Sequence, residues 1–159
     1  MNTIMESYYP AFRLYQSLRD QMMALLEDED LAFQMAGSNP TLGTLCREIG
    51  EVQSCYIESF RTFEMDLSFK TDQPELERSV GKLANWYTKL DKQLEDAVSA
   101  LTEEEIDNRK IDRGGDFIIS PYVQLEVYKE ALLIFYGKSS VYLKALSREL
   151  PEQWQHWIA

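Results

Sequence analysis

The chain is predicted to be all-α, a single four-helix bundle, on three observations. Four long segments repeat apolar residues every three and four positions. Each opens at or near a proline, and in the second, third and fourth a capping residue or a turn stands before it. Each carries one apolar stripe, and four amphipathic helices have few ways to bury four stripes other than against one another.

The first segment covers residues 10–28, opens with Pro10 and places Phe12, Tyr15, Leu18, Met22, Leu25 and Leu26 on one face. The second, over 40–65, follows Ser38-Asn39-Pro40 and aligns Leu42, Leu45, Ile49, Val52, Tyr56, Phe60 and Phe63. The third, over 74–101, follows Thr71-Asp72-Gln73-Pro74 and keeps the period from Leu76 to Leu101. The fourth, over 121–148, starts at Ser120-Pro121 and repeats Leu125, Tyr128, Leu132, Phe135, Tyr142 and Leu146. Between the third and fourth lies an irregular loop. Thr102 and Glu105 have the form of a capping box, and Arg113-Gly114-Gly115-Asp116 a turn before Phe117-Ile118-Ile119, which predicts one helical turn and a minimal hairpin. A tail, residues 151–159, carries Trp154 and Trp157 around His156, which is expected to pack or dock the tail. Residues 1–159 read as one domain, and the bundle is expected to be antiparallel, with a crossover permitted by the long connection between the first two helices.

Composition narrows the function. The formal charge of −11 would repel a phosphate backbone, and no basic stripe offsets it, so nucleic acid is not an expected partner. No apolar run is long enough to span a membrane and residues 1–10 do not resemble a signal peptide, so the expected location is the cytoplasm. Cys46 and Cys55 stand nine residues apart on one helix, about 13 Å along its axis and on opposing faces. They cannot bridge each other and fit a reducing compartment.

His156 is the sole histidine. A Ser-His-Asp or Cys-His nucleophile needs an imidazole beside it, a zinc site needs clustered Cys and His, and a di-iron bundle needs Glu-x-x-His on two helices. None of these can be assembled, and no cofactor is expected. Carboxylates could still build an oxygen-ligand site, with Glu48, Glu51, Glu126 and Glu130 as candidates. Measured from Ile49, Glu51 points about 200° away and is expected in solvent, whereas Glu48, about 100° away, sits at the edge of the stripe. Glu48, Tyr56, Tyr128, Tyr136, Lys138 and Tyr142 make a candidate cleft, set against the plainer expectation that these tyrosines are core residues with hydroxyls at the surface. Gly137 inside the fourth helix suggests a close helix crossing.

Three stretches carry a resemblance: Leu45-Cys46-Arg47-Glu48-Ile49-Gly50-Glu51-Val52, Tyr56-Ile57-Glu58-Ser59-Phe60, and Ala131 to Gly137 followed by Val141-Tyr142-Leu143. Together they resemble the DinB/YfiT-like superfamily over nearly the whole chain. The resemblance implies a four-helix bundle, commonly dimeric, in which one histidine on the second helix and two on the fourth bind a divalent metal, several members being thiol-dependent S-transferases or isomerases. Carried over, the three ligand positions fall on Glu48, Ala131 and Phe135, and the motif glycine on Gly137. With no imidazole at any of them, the resemblance implies a degenerate metal site that binds no metal. Ala131 and Phe135 lie within about 60° of Tyr128 on the wheel, so hydrocarbon is expected to close the pocket. The leading expectation is a metal-free, DinB-like binding or interaction module, a homodimer burying aromatic surface, with a possible small-molecule ligand. The alternative is a metal-independent, thiol-transferase-like enzyme using the bundle cleft.

Overall fold

The computed structural model describes residues 1–158. Its long helices are α2 (Tyr9–Leu25), α3 (Leu42–Thr62), α4 (Val80–Ser99) and α6 (Pro121–Ala145), joined by the short helices α1 (Thr3–Ser7), α5 (Glu103–Asn108) and α7 (Glu152–Trp157). A two-stranded hairpin pairs β1 (Ile111–Asp112) with β2 (Ile118–Ile119). The all-α, four-helix reading holds, and the irregular stretch before α6 is the helical turn and minimal hairpin that its capping box and glycines predict.

The helix starts follow from local chemistry. Thr41, Ser79 and Ser120 each accept the backbone N–H three residues on, satisfying a donor the helix cannot. Two predicted starts shift for that reason. Pro40 precedes the α3 cap instead of opening the helix, and Pro74 opens a separate 3-10 turn, Pro74–Glu77, before Ser79 caps α4. α1 is unforeseen; its start is tied by Asn2, which caps Met5 and donates to the carbonyls of Val98 and Leu101.

The expected antiparallel order is corrected. Partners along α3 and α4 advance together, from Cys46 with Tyr87 to Gln53 with Asp91, so these neighbours run parallel. By the same reasoning α2 runs parallel to α6, since Phe12 meets Tyr128 and Tyr15 meets Tyr136. α3 and α6 are antiparallel, with Ser59 on Gln124 and Tyr56 on Tyr128. Around the bundle the order is α2, α4, α3, α6, which leaves α2 and α3 on one diagonal and α4 and α6 on the other. The crossover therefore includes residues 63–79, which must travel back along α3 before α4 can start beside Asp28.

Glu51 holds that return. Expected in solvent, it is 1% exposed, because the connection folds over it. Its carboxylate accepts the Thr71 N–H at 2.9 Å, Arg47 at 2.5 Å and Lys70 at 3.2 Å. Burial alone would raise this carboxyl; the Thr71 amide, Arg47 and Lys70 outweigh it and hold the group below the usual range. A lowered folded-state pKa gives stability that is full above the ordinary glutamate value of about 4.3 and lost as pH falls through the folded value. Glu51→Gln should thus be less stable by about 1.5–3 kcal/mol at neutral pH. In calorimetric melts its deficit should close as pH drops below about 4; a deficit independent of pH would contradict this role.

Four fully or largely buried polar groups meet at the bundle centre. Arg19, 0% exposed, donates to Asp91 at 2.6 Å and to Gln53 at 2.7 Å. Gln16 and Gln53 donate to the same Asp91 oxygen at 2.9 and 2.8 Å. The guanidinium lies 4.0 Å from the centre of the Tyr87 ring, whose hydroxyl donates to the Cys46 carbonyl. One charge pair thereby ties α2, α3 and α4 together.

Two glycines explain close contacts of α3. A Cβ on Gly50 would stand 2.3 Å from the Trp86 ring, and one on Gly43 2.3 Å from the Glu77 carbonyl oxygen. Gly137 does not mark a crossing within the chain: it is exposed and a Cβ there would meet nothing within 4 Å. The tail is also reassigned. Trp154, 0% exposed, does the docking, donating to the Leu18 carbonyl at 2.9 Å, whereas His156 is exposed beside Glu152. Among the described residues no helix is long and apolar enough to cross a membrane.

Candidate functional site

The antiparallel seam between α3 and α6 does not close completely. Two adjoining cavities of ≈ 380 and ≈ 220 Å³ share Leu45, Glu48 and Lys138 and together form one groove. Ile49, Val52, Ala131 and Phe135 floor the smaller end. Met35, Pro40 and Tyr142 wall the larger. Ala131 is the local reason for the opening, since a methyl faces Ile49 and Val52 where a longer side chain would fill the seam.

The loop before α3 forms a fixed rim. Gln34 bridges to Thr41, Leu42 donates to the Phe33 carbonyl at 2.9 Å, and Asn39 donates to the Ala36 carbonyl at 2.7 Å. Tyr142 braces it from α6, its hydroxyl donating to the Pro40 carbonyl at 2.7 Å and its ring meeting Phe33 edge-on. Glu48 and Lys138 are exposed at the waist, and neither joins an ion pair among the described residues. The groove thus offers an apolar floor with one carboxylate and one ammonium free to meet a ligand.

Of the six candidate cleft residues, Glu48, Lys138 and Tyr142 come together here. Tyr56, Tyr128 and Tyr136 do not; they lie in the core, on the other side of the seam. Their hydroxyls are not at the surface as expected. Tyr136 donates to the Tyr15 carbonyl at 2.6 Å, Tyr56 lies 3.4 Å from Arg113, and the Tyr128 hydroxyl is buried without a partner. Burial pushes all three phenols above their usual range, so none is an acid or base near neutral pH.

The positions carried over as metal ligands, Glu48, Ala131 and Phe135, all line the smaller cavity. Their donor set is one carboxylate, a methyl and a phenyl ring, which does not fit a metal that takes three imidazoles. The other carboxylates do not complete it. Glu51 is committed to the connection, Glu126 pairs with Lys129 at 2.6 Å, and Glu130 is exposed outside the lining of both cavities. No three His, Cys, Asp or Glu side chains among the described residues group so as to hold a metal ion. Neither thiol lines this groove: both are buried and free, Cys55 edges a separate cavity with Glu58 and Phe69, and burial pushes Cys46 up to about 12.

No family model and no curated protein sequence matches this chain. Solved structures do. A DinB-like protein from Bacillus cereus ATCC 10987 superposes with a TM-score of 0.76 at 19% identity, covering 92% of this chain and 95% of the other. A DinB-like protein from Bacillus subtilis does so with a TM-score of 0.66 at 17% identity, covering 86% and 90%. The chain has the DinB-like fold.

Proposed function

We propose that this protein is a DinB-like bundle that has lost the metal centre and binds a small amphiphilic molecule in the α3–α6 groove, as a cytoplasmic homodimer. The observation that carries the reading is the groove itself: an apolar floor opened by Ala131, with Glu48 and Lys138 unpaired at its waist. A ligand with an apolar body and a charged head would match both features. Two buried free thiols favour a reducing compartment. Binding is favoured over thiol-transferase-like catalysis because the phenols that would serve as acid, base or clamp are tied to main chain or core.

The anionic dye 1-anilinonaphthalene-8-sulfonate is a suitable probe, with an aromatic body for the floor and a sulfonate for Lys138. Wild-type protein should give one saturable site per chain by fluorescence titration. Ala131→Trp, which fills the smaller cavity, should weaken it by about tenfold or more, a loss of about 1.4 kcal/mol. Equal titrations for the two proteins would remove the groove as the site. One tightly held metal ion per chain in elemental analysis would overturn the loss of the metal centre.

A further inference from the structure

The outward face of α6 carries a second apolar stripe that the chain leaves uncovered. Ile134 stands two residues from the core residue Leu132, about 200° round the helix, and is 60% exposed. Val123 and Val141 on the same face are also exposed, and Val127 is half-buried. From Val123 through Val127, Ile134 and Val141 to Ala145 the spacings are four, seven, seven and four residues. All five point within about 20° of one direction.

That pattern reads the same forwards and backwards from Ile134. An isologous contact between antiparallel copies of one helix sets each residue against the position equally far on the other side of the axis, so this pattern lays apolar residues on apolar residues. The charges follow it as well. Glu130 and Lys138 stand four residues before and after Ile134, about 6 Å along the axis on either side. Reversal brings each Glu130 to the level of the other copy's Lys138, opposite in sign. Ala131 and Gly137 exchange in the same way, and the open space at Gly137 lets two backbones approach.

We infer that α6 is the dimer interface, packing antiparallel on α6 of a second copy of this chain about a two-fold axis at Ile134. The inference rests on the homodimer reading above and adds its location and geometry. Because Ile134 and Lys138 also line the groove, the second copy forms part of the groove's rim, and Lys138, unpaired within its own chain, stands between the bound ligand and the partner's Glu130.

Sedimentation velocity of the full chain over a concentration series should show a dimer. Val127→Glu, which lines neither cavity, should raise the dimer dissociation constant by roughly tenfold or more, with helical circular dichroism retained and the dye site, short of the partner's part of its rim, still saturable. Glu130→Lys should weaken the dimer, and adding Lys138→Glu should restore it. On oxidation, Ile134→Cys should cross-link to itself, and Val127→Cys should cross-link to Val141→Cys in a mixture but not alone. A wild-type monomer at every concentration would overturn both the interface and the homodimer. A wild-type dimer that survives Val127→Glu and does not cross-link through Ile134→Cys would overturn the interface alone, while a wild-type dimer with no saturable dye site would overturn the groove and leave the interface standing.

Discussion

Asp91→Ala should destabilise the fold by about 3–5 kcal/mol, the loss typical of breaking a buried ion pair from one side. Arg19 is fully buried, and its remaining contacts would be Gln53 and the face of Tyr87. A guanidinium cannot escape by deprotonating, so its desolvation would stand uncompensated. Gln16 and Gln53 would also lose the acceptor they share. Urea unfolding of the single variant should show the full loss, whereas Arg19→Met combined with Asp91→Leu should recover most of it, since apolar side chains of similar volume can replace a buried pair at little cost. If Asp91→Ala alone unfolds within about 1 kcal/mol of wild type, the pair is not holding the centre.

Trp154→Ala should lose a similar amount, about 3–5 kcal/mol, through the cavity it leaves and the loss of the indole's hydrogen bond to the Leu18 carbonyl. The indole fills the space beside Tyr136, at 5.3 Å between ring centres, and anchors α7 against α2. Trp157, 44% exposed on the same short helix, is an internal control: its replacement by alanine should move the melting temperature far less. Equal losses at the two positions would contradict the docking role assigned to Trp154.

The four long helices and the groove's α3 and α6 walls were legible because periodicity reports burial directly, and the hairpin because its glycines mark a turn. Chain direction was not: an amphipathic stripe says which face is buried but not against which neighbour, and Glu51 was misplaced because the stripe knows nothing of a connection that later covers the opposite side. Tyr128 and Tyr136 looked like cleft residues for a related reason, since a phenol on an apolar stripe can point to a site or into the core. The buried centre, by contrast, carries a signal in the sequence. Arg19 stands four residues after Tyr15 and three before Met22, Gln53 four after Ile49 and three before Tyr56, and Asp91 four after Tyr87 and three before Leu94. Each of three helices thus places one polar residue on its apolar stripe, and burial of such groups demands that they find one another.

The alternating order of the helices has a consequence for how the two halves of the chain depend on each other. Residues 63–79 divide a half holding α2 and α3 from a half holding α4 and α6, and in each half the two long helices lie on a diagonal. Every long helix therefore finds its side-by-side neighbours in the other half. A cut in the exposed stretch 66–70 would leave two fragments with four half-seams to share and no helix pair of their own to fold around. Such halves are interlocked rather than modular, and the chain gains its core only when both are present.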